Sequence, residues 1–284
     1  MPPSWSVAYR FALAAPAMFA LALATRKSLR IERAGHGLAL ALGLFQFCGN
    51  FNFVYRAEEH LTSGVVAVMF ALLMVPNALF ARALLGQRTT PRFVAGSVVA
   101  IAGVALLLIE EAHAAPLDGD VALGVALAVG GLLSASIANV IQANETGRAL
   151  PLASLLAWAM LYGAVIDAGL AWATAGPPVF PASGAFWAGA VWLALAGSVV
   201  TFPLYYAIIR SIGPGRAAYN GVLVVVIAML ISTFVEGYAW TPLAAAGAAL
   251  GMGGMLIALR AKGAPPEKPN PDGKERSLRL RAKS

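Results

Sequence analysis

Hydrophobic positions along this chain do not alternate, and they do not mark one face of a helix. They run on for about twenty residues at a time, the length a membrane-crossing helix needs. Nine such runs stand near 5–24, 36–55, 61–82, 92–109, 120–143, 151–173, 185–208, 216–235 and 242–260. Long apolar runs without strand-like alternation predict helices rather than a β-barrel. The second run ends in "FQFCGNFNFVYR", Phe45 to Arg56, which sets Gln46, Asn50 and Asn52 among aromatic rings.

Composition agrees with that pattern. Sixty per cent of the 284 residues are hydrophobic and 12% charged, with a mean hydropathy of +0.76. Soluble domains carry about 25% charged residues, so much of this surface must face lipid. The single Cys48 excludes an intramolecular disulfide and a cysteine-only metal site, and no cofactor or metal is expected. No secretory signal pattern opens the chain. The expected fold class is an all-α polytopic membrane protein.

Charge then orients the spans. Arg26, Lys27, Arg30, Arg33, Arg82, Arg88, Arg92, Arg148, Arg210, Arg216 and the tail from Arg260 together hold 18 of the 20 basic residues. All fall on one side of the nine-span arrangement, which is read as cytoplasmic. The formal charge of +7 is therefore a topology signal and a contact with anionic lipid, not a nucleic-acid footprint. The opposite side carries Arg10 and Arg56, expected in structural salt bridges, beside Glu58, Glu59, Glu110, Glu111, Asp118, Asp120 and Glu236. Residues 261–284 are Pro-rich, charged and without an apolar face, which predicts a disordered cytoplasmic tail.

A shift of 151 residues aligns two halves without a gap. It lays Gly64 on Gly215, Ala67 on Ala218, Gly86 on Gly237, Thr90-Pro91 on Thr241-Pro242, Gly96 on Gly247 and Gly103 on Gly254. Equivalent loops fall on opposite faces, so the repeat is inverted, as in many secondary transporters. The division is 1–115 for the first unit and 116–260 for the second. Subtracting 151 from the span near 120 points before Met1, so the first unit shows four spans and the second five. A missing leading helix is the expectation, with a start-site truncation and a natural loss both open.

The stretch "LTSGVVAVMFALLMVPNALFARALLGQRTTPRFVAGSVVAIAGVALL", its mate "GPGRAAYNGVLVVVIAMLISTFVEGYAWTPLAAAGAALGMGGMLIAL" and "AYRFALAAPAMFALAL" resemble EamA-type proteins of the drug/metabolite transporter superfamily. The resemblance implies ten helices in two inverted five-helix units, an inner-membrane location with cytoplasmic termini, and outward movement of amino acids or related metabolites. Two departures stand beside it. The first helix is absent, and Gln87 stands where the first unit often has Glu, while Glu236 is retained. A drug or other-metabolite permease and a transport-inactive scaffold are the alternatives. Enzyme motifs such as HExxH, GxSxG and the P-loop are absent from the sequence.

Polar side chains inside spans should face protein or a water-filled path. Gln46 and Asn50 share a helix face, roughly continued by Phe53, and are expected to line a substrate cavity. Asn52 points about 200° from Asn50, at 100° per residue, and is expected to bridge helices instead. Pro76-Asn77 is read as a hinge or a kink patched by its own amide, with Phe70 and Met74 lining an adaptable pocket. Asn139, Thr201, Tyr205 and Asn220 complete the substrate-contact candidates. The intramembrane Asp167 and the boundary residue Glu236 are candidates for ion or proton coupling. Gly247 and Gly251, with Gly96 and Gly103 on the mate helix, predict close packing, with a homodimer contact as the second reading.

Overall fold

The structure is a computed structural model that describes residues 1–86, 90–114, 120–217, 220–235, 237 and 240–260. Of these, only the backbone is described at 111–114, 215–216, 220, 222–223, 225–226 and 259. The described residues form helices and no strand. In chain order they are α1 (3–24), α2 (33–57), α3 (63–85), α4 (91–114), α5 (121–141), short α6 (145–149), α7 (152–175), α8 (184–212), short α9 (214–217), α10 (220–235) and α11 (242–259). Each expected span coincides with one helix to within a few residues. Seven of the helices are long and apolar enough to cross a membrane, by length and composition. The chain is an all-α polytopic membrane protein. Its outward side chains include the strongly exposed Trp192, Phe234 and Val235, which suit an apolar surrounding.

Helix ends follow the local sequence. Asp120, Ser183 and Thr241 each accept a backbone N–H at a helix start, from Leu123, Phe186 and Ala244. Gly86 ends α3 in the left-handed conformation at φ 66°, which costs glycine no Cβ clash. Within α3, Pro76 has no N–H for the carbonyl of Leu72. The helix tightens there into i→i−3 bonds, Leu73 N to Phe70 O and Val75 N to Leu72 O, and resumes at Met74.

Helices related by the 151 shift pack against one another, antiparallel. In α1 and α7, Trp5 Nε1 donates to Gly176 O at one end, and Ser154 Oγ donates to Ser28 O at the other. In α3 and α10, Gly64 lies against Met229 and Ser232, and Ala71 against Gly221. In α4 and α11 the approach is closest. Gly96 meets the backbone of Gly254 and Ala258, and Gly103 meets that of Gly247 and Gly251. The shift turns the Gly103–Gly251 contact into the Gly254–Ala100 contact, which is also present. Small residues allow this approach, and van der Waals contact between backbones holds it in a solvent with no hydrophobic driving force between helices.

Two helices depart from α geometry at matching places. α2 runs as a π-helix over Gly43–Asn50, and α8 over Leu195–Val200, which the shift maps to 44–49. The wider i→i+5 turn disrupts the ladder and frees carbonyls that lipid cannot satisfy. Side chains take them. Ser134 Oγ donates to Phe45 O and Asn52 Nδ2 to Cys48 O in α2. In α8, Thr201 Oγ1 donates to Ala196 O and Arg10 Nη2 to Gly197 O.

Candidate functional site

Call the end that carries Arg26, Arg33, Arg82, Arg148 and Arg210 the basic end. Polar side chains then form a column from the opposite end to the basic end, along α2, α5 and α8. Near the opposite end sits Arg10 of α1, 7% exposed. Its Nε donates to Ser198 Oγ at 3.1 Å, Nη2 to Gly197 O at 3.2 Å and Nη1 to the Tyr55 hydroxyl at 3.4 Å. The guanidinium carbon also lies 4.4 Å from the Phe51 ring centre. The expected salt bridge at Arg10 is thus replaced by neutral oxygens and a ring, because the π-helical turn of α8 offers an unused carbonyl. The signal for it in the sequence is a lone arginine inside the run 5–24.

On another face of α2, Asn52 Nδ2 donates to Asp167 Oδ1 at 2.7 Å. Asp167 on α7 is fully enclosed, and its second oxygen, Oδ2, has no hydrogen-bond partner. The same Asn52 Nδ2 lies 3.7 Å from Cys48 Sγ. A carboxylate in such a place needs a counter-charge or a proton, and the free oxygen is where a proton would sit.

Midway, the Tyr206 hydroxyl donates to Gln46 Oε1 at 3.2 Å. Around it Phe11, Phe47, Phe51 and Phe202 pack edge to face with centres 5.0–6.1 Å apart, tying α1, α2 and α8 together. Asn50 is buried, yet its Oδ1 accepts nothing. Beside it, Phe70 and Phe53 lie over Gly131.

Further towards the basic end, Asn139 Nδ2 reaches Asn77 Oδ1 at 3.4 Å and the Tyr205 hydroxyl at 3.5 Å. Asn77 Nδ2 in turn reaches Pro214 O. Asn139 Oδ1 and Ser136 Oγ are buried without a partner. Asn77 therefore spans to α9 rather than patching its own helix at Pro76.

Of the sequence candidates, Gln46, Asn50, Asn77, Asn139, Tyr205 and Phe70 thus lie in or beside this column. Three others do not join it as expected. Phe53 is 40% exposed and covers the Gly130–Gly131 surface of α5. The π-helical turn over Gly43–Asn50 breaks the 100° per residue that aligns it with Gln46. Thr201 is exposed and bonds back to its own helix. Met74 is enclosed in the apolar cluster with Val104, Leu107 and Met255. An apolar recess lined by Val68, Leu72, Val104, Met252 and Met255 sits beside it, off the polar column. Glu236, Gln87 and the tail lie outside the described residues, as does the side chain of Asn220.

Residues 1–109 match the EamA-like transporter family. The EamA-like segment runs from α1 into α4 and includes Arg10, Gln46, Asn50, Asn52, Phe70 and Asn77. Among curated proteins the chain is similar to Protein PagO of Salmonella typhimurium (strain LT2), 26% identical over 113 residues. That match covers 40% of this chain and 37% of PagO. A solved protein crystal structure superimposes with a TM-score of 0.68 at 22% identity, covering 92% of this chain and 89% of the other. It shows a shared fold across nearly the whole length, including the helices beyond residue 109.

Proposed function

We propose that the protein is a secondary transporter that moves a small metabolite, an amino acid or related compound, outward across a bacterial-type inner membrane by alternating access. The two units are 1–115 and 116–260, the basic end is cytoplasmic, and the C-terminus lies on that side. The observation that carries the reading is the set of buried polar atoms left unused, Asn50 Oδ1, Ser136 Oγ and Asn139 Oδ1. All three lie along the polar column, on α2 and α5, where a solute could use them. The EamA-like match of residues 1–109 points the same way. Rocking of one unit against the other around a fixed site is how inverted-repeat carriers work, and the π-helical turns in α2 and α8 are where it would hinge.

The test is flux in proteoliposomes. Purified full-length protein should move at least one labelled solute from a broad panel of amino acids, organic acids and drugs. Absence of flux for the whole panel, with the protein folded and oriented both ways, overturns the reading.

Asp167 supplies the coupling test. Asp167→Asn preserves the hydrogen bond with Asn52 and removes the proton site. If protons drive transport, an imposed pH gradient should drive the wild type and fail to drive the variant, while exchange at equal pH persists. Gradient-driven flux equal in both proteins would exclude Asp167 from coupling.

A further inference from the structure

At the basic end the column closes on a pair that the metabolite reading leaves unused. Gln142, the residue that ends α5, is fully enclosed, and Arg210 stands near the end of α8. Arg210 Nε donates to Gln142 Oε1 at 3.4 Å, and its Nη1 donates to Leu150 O at 3.0 Å. The first bond fixes the orientation of the amide, because a guanidinium can only donate. Gln142 must turn its oxygen to Arg210 and keep its nitrogen elsewhere. That nitrogen, Nε2, is buried with no partner, and so is Arg210 Nη2. Nε and Nη2 form one edge of the planar fork, so the unused nitrogen lies beside the amide that its neighbour engages.

Two buried donors without partners thus belong to one hydrogen-bonded pair, one of them on a cation. A second cation, Arg148, is tied to the residue after Gln142, its Nε donating to Ala143 O at 3.0 Å. Among the described residues, the hydrogen-bond partners of Arg148 and Arg210 are Ala143 O, Gln142 Oε1 and Leu150 O, none of them a carboxylate. Buried donors without acceptors are costly, and two on one hydrogen-bonded pair beside a second cation call for an oxyanion.

We propose that Gln142 and Arg210, with Arg148 nearby, form an oxyanion site at the basic end of the helix bundle. It takes one carboxylate or phosphate group, bound by Gln142 Nε2 and Arg210 Nη2. The site lies about one helical turn from Asn139, whose spare Oδ1 suits a hydrogen-bond donor on the same molecule. As a substrate site it rests on the transporter reading and narrows the metabolite to one with an acidic group. The same chemistry could instead be met by the phosphate of an anionic lipid headgroup.

The test reads the thermal unfolding midpoint of the full-length protein in a neutral detergent. Sodium glutamate, sodium phosphate and phosphatidylglycerol are compared with sodium chloride at equal ionic strength and with phosphatidylcholine. At least one oxyanion should raise the midpoint saturably, by roughly 5 °C near a hundredfold excess over its dissociation constant. Glutamate alone identifies a carboxylate solute, phosphate alone a free phosphate, and phosphatidylglycerol alone a lipid headgroup. Gln142→Leu should lose the response. Gln142→Glu builds the carboxylate into the site, so it should melt higher than the wild type without ligand and respond to none of the probes. A wild type unmoved by all three oxyanions overturns the site, and so does a Gln142→Glu protein that still responds. Because the readout needs no flux, stabilisation without transport would keep the site and sink the transporter reading. Transport of neutral solutes without stabilisation would do the reverse.

Discussion

Replacing Gly103 by leucine should leave almost no monodisperse protein on size-exclusion chromatography in mild detergent. A Cβ at this position would overlap the backbone nitrogen of Gly251. Backbone cannot rotate aside as a flexible side chain can, so α4 and α11 would have to part along their whole contact. Overpacking a core commonly costs 1–3 kcal/mol, and a clash that no rotamer relieves is expected at about 3 kcal/mol or more. The symmetric position Gly254, set against Ala100 N, should behave the same way. Gly253 is the control. It sits on the same helix with nothing within 4 Å of its Cβ position, so Gly253→Leu should purify like the wild type. Normal yield and melting of Gly103→Leu would show that the two helices do not meet this closely.

The second large effect is expected at Asn50. Its buried Oδ1 has no protein partner, so Asn50→Leu deletes an acceptor that folding does not use. Stability should change by less than about 1 kcal/mol, since replacing an unsatisfied polar group by an apolar one of similar shape is nearly neutral. Flux should fall at least tenfold, which corresponds to about 1.4 kcal/mol of lost substrate interaction. Gln46 differs, because its Oε1 holds the Tyr206 hydroxyl. Gln46→Leu should lower the melting point as well as flux, leaving that hydroxyl buried and unpaired at a cost of about 1–3 kcal/mol. Equal loss of folded protein in both variants, without separate loss of flux, would make both residues structural.

The contrast between Asn50 and Asn52 shows how far helical arithmetic reaches. Spacing alone put the two amides on different faces of α2, because successive side chains advance by about 100°. It could not say that the face of Asn52 meets Asp167, 115 residues away, since that depends on how α7 crosses α2. The same arithmetic misplaced Phe53. The π-helical turn over Gly43–Asn50 resets the angle between Gln46 and Phe53, and a local sequence carries no clear mark of such a turn. The acceptors of Arg10 escape a local reading for a related reason: two of them are a carbonyl and a hydroxyl of the other π-helical turn, at Gly197 and Ser198.

Legible in one dimension were the positions of the long apolar helices, the gathering of basic residues between them and the 151-residue correspondence. Lipid demands a minimum apolar length, charge resists crossing it, and glycines that permit close contact repeat at fixed intervals. Only the tertiary structure decided which amides spend their hydrogen bonds on the protein and which keep them. An acceptor such as Asn50 Oδ1, or a donor such as Gln142 Nε2, is unused only once every neighbouring helix has been set in place. Satisfaction of a buried polar atom is a property of the whole packing, and that is why the candidate sites appear only in three dimensions.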